Sequence, residues 1–172
     1  MAFKITFVGL AALLIAAALI QVGLAGPTKN RPATVSVSQS QLGRILVDGR
    51  GRSLYLFQKD KQAKSGCYGA CTSYWPPLIV SGKPRAGAGA KASLLGRTKR
   101  SDGRWQVTYN RHPLYTFFGD TKRGQTNGEG LSDFGAEWDL VSPAGAKVEK
   151  NDATSQSGGN PGSSGYGGYG GY

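Results

Sequence analysis

Beyond residue 25 the apolar side chains fall in short runs: Ile45-Leu-Val, Leu54-Tyr-Leu-Phe, Leu78-Ile-Val, Trp105-Gln-Val-Thr-Tyr and Leu114-Tyr-Thr-Phe-Phe. Runs this short, rich in β-branched and aromatic residues, predict strands, and helical spacing with capping residues is hard to find. Asp48-Gly49, Asp102-Gly103 and Asn110-Arg111 stand between runs as turn candidates. The pattern predicts a hairpin over 43–57 and a three-stranded meander over 96–118. Alternation along a strand puts Tyr55 and Phe57 on one side and Leu54 on the other, with Tyr115, Phe117 and Leu114 arranged likewise.

Two of these runs are copies. Leu-Tyr-x-Phe-x-x-Asp occurs at 54–60 and again at 114–120. Matched landmarks surround both: Leu-Gly-Arg at Leu42 and Leu95, an Asp-Gly turn after each, then Trp75 and Trp138, each followed by Val-Ser. The chain therefore predicts a repeated unit, 42–84 and 95–145, inside a domain spanning 42–149. One unit is too small to bury a face. Two packed about a pseudo-twofold axis share a core, which predicts an all-β domain of two hairpin or meander units. Asp60 and Asp120 close their strands just before Lys-, Gly- and Ser-rich segments, where a carboxylate accepts N–H bonds in a turn. A catalytic carboxylate pair needs two different environments, whereas a repeat supplies nearly the same one twice.

The ends read differently. Lys4, the apolar stretch ITFVGLAALLIAAALI, and Gly23 and Ala25 before the expected cut describe a secretory signal peptide over 1–25, or an N-terminal membrane anchor if it is uncleaved. Residues 26–41 read as a linker. The tail 150–172 is Gly- and Ser-rich, with Tyr166, Tyr169 and Tyr172 at every third position, and its composition predicts disorder. Export leaves Cys67 and Cys71 in an oxidising compartment, where a disulfide closing a short loop is expected.

The formal charge is +11, and its excess concentrates between Lys83 and Arg104. Lys83, Arg85, Lys91, Arg97, Lys99, Arg100 and Arg104 lie there with Asp102 as the acid among them. Such a face favours anionic lipids or polymers, although a merely solvated face has the same composition.

The landmarks together resemble a family of bacterial envelope proteins, the secreted repeats of unknown function, predicted lipoproteins with a Tyr-x-(Phe/Trp)-x-x-Asp motif. Leu54, Tyr55, Phe57, Asp60, Ser65, Cys67, Cys71, Trp75, Pro76, Pro77 and Leu78 carry it in the first unit. Pro113, Leu114, Tyr115, Phe117, Asp120, Gly124, Asn127, Gly128, Gly130 and Trp138 carry it in the second. The resemblance implies export and a repeated β unit, and brings no established activity. Pro27 stands where a lipoprotein needs its lipidated cysteine, so lipid attachment is not expected.

The remaining candidates each have a plainer reading. Haem attachment needs a histidine after Cys71, and Thr72 is there. A zinc set or a nucleophile's base would have to use His112, which precedes Pro113 in an expected turn. Asp120, Asn127, Glu129 and Asp133 form an oxygen-rich loop that Lys122 and Arg123 oppose as a cation site. Tyr74, Trp75 and Phe118 are candidate ligand platforms or packing rings. The expectation is a non-enzymatic envelope protein, structural or binding, without a cofactor. Its partners would be an anionic envelope polymer, a lipid surface or an envelope protein, with no specific nucleic acid. The rivals are a small-ligand or metal-binding periplasmic protein, and a hydrolase acting on an envelope polymer through Asp60, Asp120 and Glu129.

Overall fold

The computed structural model describes residues 32–148. The expected signal peptide and the Gly/Ser/Tyr tail lie outside the described residues. The first half contains β1 (Thr34–Ser40), β2 (Gly43–Asp48), β3 (Tyr55–Phe57), a single-turn helix α1 (Cys71–Tyr74) and β4 (Arg85–Ala86). A 3-10 turn at Ala92–Leu94 leads to the second half: β5 (Leu95–Lys99), β6 (Trp105–Tyr109), β7 (His112–Pro113), β8 (Leu131–Asp133) and β9 (Ala136–Leu140). Apart from these short turns the described residues are all-β, in three small sheets ordered β2-β1-β4, β5-β6-β7 and β3-β9-β8.

The expected meander over 96–118 is the sheet β5-β6-β7. Its second turn is Asn110-Arg111, both left-handed at φ 47° and 68°, as a two-residue turn matched to strand twist requires. The Asp48-Gly49 turn also forms: Asp48 Oδ1 accepts the N–H groups of Arg50 and Arg52 at 2.8 and 3.0 Å, and Leu54 N–H returns to Leu46 O at 3.0 Å. The segment 26–41 is not simply a linker, because β1 lies within it and pairs with β2, Val35 opposite Asp48. Its alternation of Val and Ser is a strand signal, with Val35 buried and Ser38 and Gln39 exposed.

Equivalent backbone bonds correct the internal alignment. Leu46 N–H donates to Val141 O and Val107 N–H to Leu78 O, both at 2.8 Å, so Leu46 stands to Val107 as Leu54 stands to Leu114. The two Leu-Gly-Arg triplets are therefore not equivalent. The first leads into β2, the second strand of its hairpin, while the second opens β5, the first strand of its own.

The halves exchange strands. β3 carries the first motif yet pairs antiparallel with β9, the tryptophan strand of the second half, Phe57 opposite Trp138. The second motif pairs with the tryptophan segment of the first: Thr116 N–H reaches Pro76 O at 3.0 Å and Phe118 N–H reaches Tyr74 O at 2.8 Å. Where the two motifs cross, Tyr55 and Tyr115 exchange N–H···O bonds of 2.9 and 3.0 Å about the local axis.

Alternation then gives the domain two cores. Leu46, Leu54, Leu56, Val107, Leu114 and Val141 fill an aliphatic cluster. Ile45, Val47, Tyr55, Phe57, Trp75, Tyr115, Trp138 and the cysteines fill an aromatic one. Trp75 and Trp138 stack at 4.0 Å and 2° across the axis, Phe57 stacks on Trp138 at 4.0 Å, and Phe117 lies over Trp75 at 4.4 Å. Each phenylalanine thus rests on the other half's tryptophan.

Neither half holds a complete ring stack, so unfolding should be a single transition, with tryptophan fluorescence and far-UV circular dichroism superimposing in denaturant. Trp138→Ala should cost about 3–5 kcal/mol. Two separated transitions, one per repeat, would contradict the exchanged architecture.

Candidate functional site

The motif's polar groups meet in the interior. The Tyr55 hydroxyl donates to Asp120 Oδ2 at 2.6 Å, and the Tyr115 hydroxyl donates to Asp60 Oδ2 at 2.9 Å. Each repeat's tyrosine is thus bonded to the other repeat's aspartate. The second carboxylate oxygens cap turns as expected: Asp60 Oδ1 accepts Gly66 N–H at 2.6 Å and Asp120 Oδ1 accepts Asn127 N–H at 2.9 Å. The two carboxylates sit in separate turns. Strand spacing shows the capping role, but the tyrosine partner depends on how the two units pack.

Burial shapes the charges. It pushes the Asp60 carboxyl up to about 6, opposed by the Gly66 N–H, the Tyr115 hydroxyl and the Arg100 cation. Asp120 is raised too, again by burial. Both tyrosines are pushed far up by burial and by the carboxylates they face, so they remain protonated donors.

Around this shared pattern the halves differ. In the first, the Tyr115 hydroxyl lies 2.8 Å from Ser65 Oγ, which also accepts from Arg100 at 2.8 Å. Arg100 further donates to Gln106 Oε1 at 2.7 Å and to Cys67 O at 2.8 Å, pairs with Asp102 at 3.1 Å, and lies 4.4 Å over the Tyr68 ring. In the second half Gly128 N–H reaches the Tyr55 hydroxyl at 3.3 Å. A Cβ at Gly128 would fall 2.7 Å from Trp75 Cη2, so only glycine fits there.

Several expected binding residues are reassigned. Arg100 is buried and structural, because its planar fork ties the disulfide loop to the β5–β6 hairpin. Trp75 is fully buried in the ring stack and offers no ligand surface. Arg104 is exposed and paired with Asp102 at 2.8 Å. Arg97 and Lys99 are exposed on β5. Cys67 and Cys71 form the disulfide, with Cα atoms 5.4 Å apart. His112 is half-buried in β7 and burial lowers its proton affinity.

The oxygen-rich loop is spread apart. Asp120 turns to Tyr55, Glu129 Oε2 accepts Leu140 N–H at 2.6 Å, and Asp133 gives its carbonyl to the Trp138 indole at 3.2 Å. Asn127 donates its side-chain amide to Gly119 O at 3.2 Å. Among the described residues no three His, Cys, Asp or Glu side chains gather as a metal set.

Tyr74 and Phe118 are exposed, and their rings meet edge to face at 5.0 Å. Phe134, which sequence reasoning did not single out, joins them 5.9 Å from Tyr74. The Phe134-Gly135 pair between β8 and β9 was the available signal, since a turn of two residues puts its first side chain at the tip.

The two aspartates should respond differently to amidation. In Asp60→Asn, Oδ1 keeps Gly66 and the new amide donates to the Tyr115 hydroxyl, whose proton turns to Ser65 Oγ. In Asp120→Asn the Tyr55 hydroxyl already accepts from Gly128 and has no comparable second acceptor, so a loss of about 1–3 kcal/mol is expected. Because the folded state raises the Asp60 pKa, it binds more protons than the unfolded chain between pH about 4 and about 6. Wild-type stability attributable to Asp60 is therefore full below that window and declines through it as pH rises, by roughly 1–3 kcal/mol. Urea titrations across pH should show this slope in the wild type and a shallower one in Asp60→Asn, where Asp120 still contributes.

The model of a family described as a secreted repeat of unknown function matches the chain twice, over residues 36–79 and 96–142. The first match begins inside β1, in agreement with the structural start of the repeat. No curated protein and no solved structure matches the chain. Among the described residues no helix is long and apolar enough to cross a membrane. With two copies of the repeat covering the two exchanged halves, the chain belongs to the family of secreted repeats of unknown function and is an exported protein.

Proposed function

We propose that the protein is a non-enzymatic binding module of the cell envelope, and that its ligand is an anionic envelope polymer held on the basic side of the domain. The observation that carries this reading is the division of labour among polar groups. The motif's tyrosines and aspartates are consumed in joining the two halves, whereas the exposed cations are not. Among the described residues Lys83, Arg85, Lys91, Arg97 and Lys99 are exposed and enter no ion pair.

Two shallow grooves give these cations a shape. One, about 310 Å³, lies between Lys83, Pro84, Ala86, Leu95 and Arg97. The other, about 410 Å³, lies between Leu42, Arg44, Gly89, Lys91 and Pro143. Each combines an arginine and a lysine with apolar walls, the pattern a carboxylate- or phosphate-bearing chain can use. Arg97 is preorganised: its guanidinium lies 4.3 Å over the Trp105 ring and donates to Gly82 O at 3.1 Å. Less side-chain entropy is then lost on binding.

Calorimetry with a purified anionic wall polymer tests the reading. Saturable binding should weaken steeply with salt, and Arg44→Ala with Arg97→Ala should lower affinity about 5- to 30-fold. Binding that is absent at low salt, or unchanged in the double variant, would remove the basic grooves as the site.

A further inference from the structure

We infer that the aromatic cluster of Tyr74, Phe118 and Phe134 is a second interaction surface, which docks the domain on an anionic lipid surface. The large hydrophobic side chains exposed among the described residues are Tyr68, Tyr74, Phe118 and Phe134. Tyr74 lies against both Phe118 and Phe134, so the exposure is a patch rather than scattered rings. Phe118 is 57% exposed although its neighbour Phe117 packs in the core.

The backbone beneath the patch is strained in its favour. Phe134 has φ 57°, a left-handed conformation that bulky side chains rarely adopt, at the first position of the tight β8–β9 turn. Gly or Asn would hold this turn at lower cost. A phenylalanine there adds strain and lifts an apolar ring to the tip of the hairpin, a combination that points to use at the surface.

Ring geometry and charge select the partner. A sugar ring needs a flat face with polar side chains at its margin, whereas Tyr74 stands at 87° to Phe118 and at 46° to Phe134, and both phenylalanines lack a polar tip. Edge-on apolar rings on loop tips suit insertion among lipid headgroups and upper acyl carbons. Lys59 Nζ donates to Phe134 O at 3.1 Å, which fixes an exposed ammonium beside the patch. The acids on the same hairpin are the half-buried Asp133 and the exposed Glu137. Together with the chain's net charge of +11, the Lys59 ammonium favours anionic over zwitterionic headgroups.

Co-sedimentation of the protein with phosphatidylcholine vesicles, with and without phosphatidylglycerol, tests the inference. The wild type should pellet with the anionic vesicles. Phe118→Ser with Phe134→Gly should bind about tenfold more weakly. Phe134→Gly relaxes the turn, so the melting temperature should hold or rise while vesicle binding falls, separating loss of the surface from loss of the fold. Polymer binding in the basic grooves should be unchanged in these variants, so either reading can fail alone. A wild type that ignores anionic vesicles at low salt, one that instead self-associates through this face, or a double variant that pellets like the wild type would overturn the inference.

Discussion

The reciprocal bond between each repeat's tyrosine and the other repeat's aspartate is the constraint on which the rest of the structure depends. A buried carboxylate and a buried phenol each cost free energy unless paired. Here neither half contains its own solution: Tyr55 needs Asp120 and Tyr115 needs Asp60. The same is true of the apolar groups, because Phe57 rests on Trp138 and Phe117 on Trp75. Polar and apolar terms therefore enforce one arrangement, with the two motif strands crossing at Tyr55 and Tyr115. A change to one partner is therefore felt in the opposite half.

Duplication has left the two sites alike in plan and different in material. The turn of the first half is held by side chains and a covalent bond: Ser65 Oγ meets the Tyr115 hydroxyl, Arg100 of the second half binds Ser65 Oγ and Cys67 O, and the Cys67–Cys71 disulfide closes the loop. The second uses backbone, with Asn127 and Gly128 N–H groups taking the corresponding places. A glycine-rich turn can approach closely enough to do this, whereas the turn with side chains uses Arg100 as the donor to its carbonyl and hydroxyl oxygens. The tryptophans show the same divergence. Trp138 donates its indole N–H to Asp133 O, while the Trp75 indole N–H is buried without a partner among the described residues.

Local features of this fold were legible in the sequence because they are set by neighbours in the chain. Asn110-Arg111 and Asp48-Gly49 mark turns by backbone preference, and the alternation in Leu54-Tyr-Leu-Phe separates the aliphatic core from the aromatic one. Other features depend on packing. The sequence places Asp60 and Tyr55 side by side, and nothing in their spacing shows that each is bonded across the axis instead. Arg100 reads as surface because charged residues are rarely buried; its burial follows from a cluster of acceptors contributed by Ser65, Cys67 and Gln106. The Leu-Gly-Arg triplets mislead for a related reason, since identical letters occupy different strands of the two hairpins.

Burial also decides where function can reside. The motif that defines the repeat is largely internal, with Tyr55, Tyr115 and Asp120 buried and Asp60 half-buried, so its polar groups offer a partner little surface. Variation is free to act at the loops and edges that the motif leaves exposed. There the two halves differ most: the aromatic patch draws Tyr74 from the first half and Phe118 and Phe134 from the second, and the grooves use arginines from non-equivalent strand positions. A scaffold fixed by exchanged bonds lets these surfaces diverge without loosening the core, because none of their side chains takes part in the crossing. The strained turn at Phe134 is tolerated for the same reason, since its cost falls on a hairpin tip held by the β8–β9 ladder and not on the tyrosine–aspartate pairs.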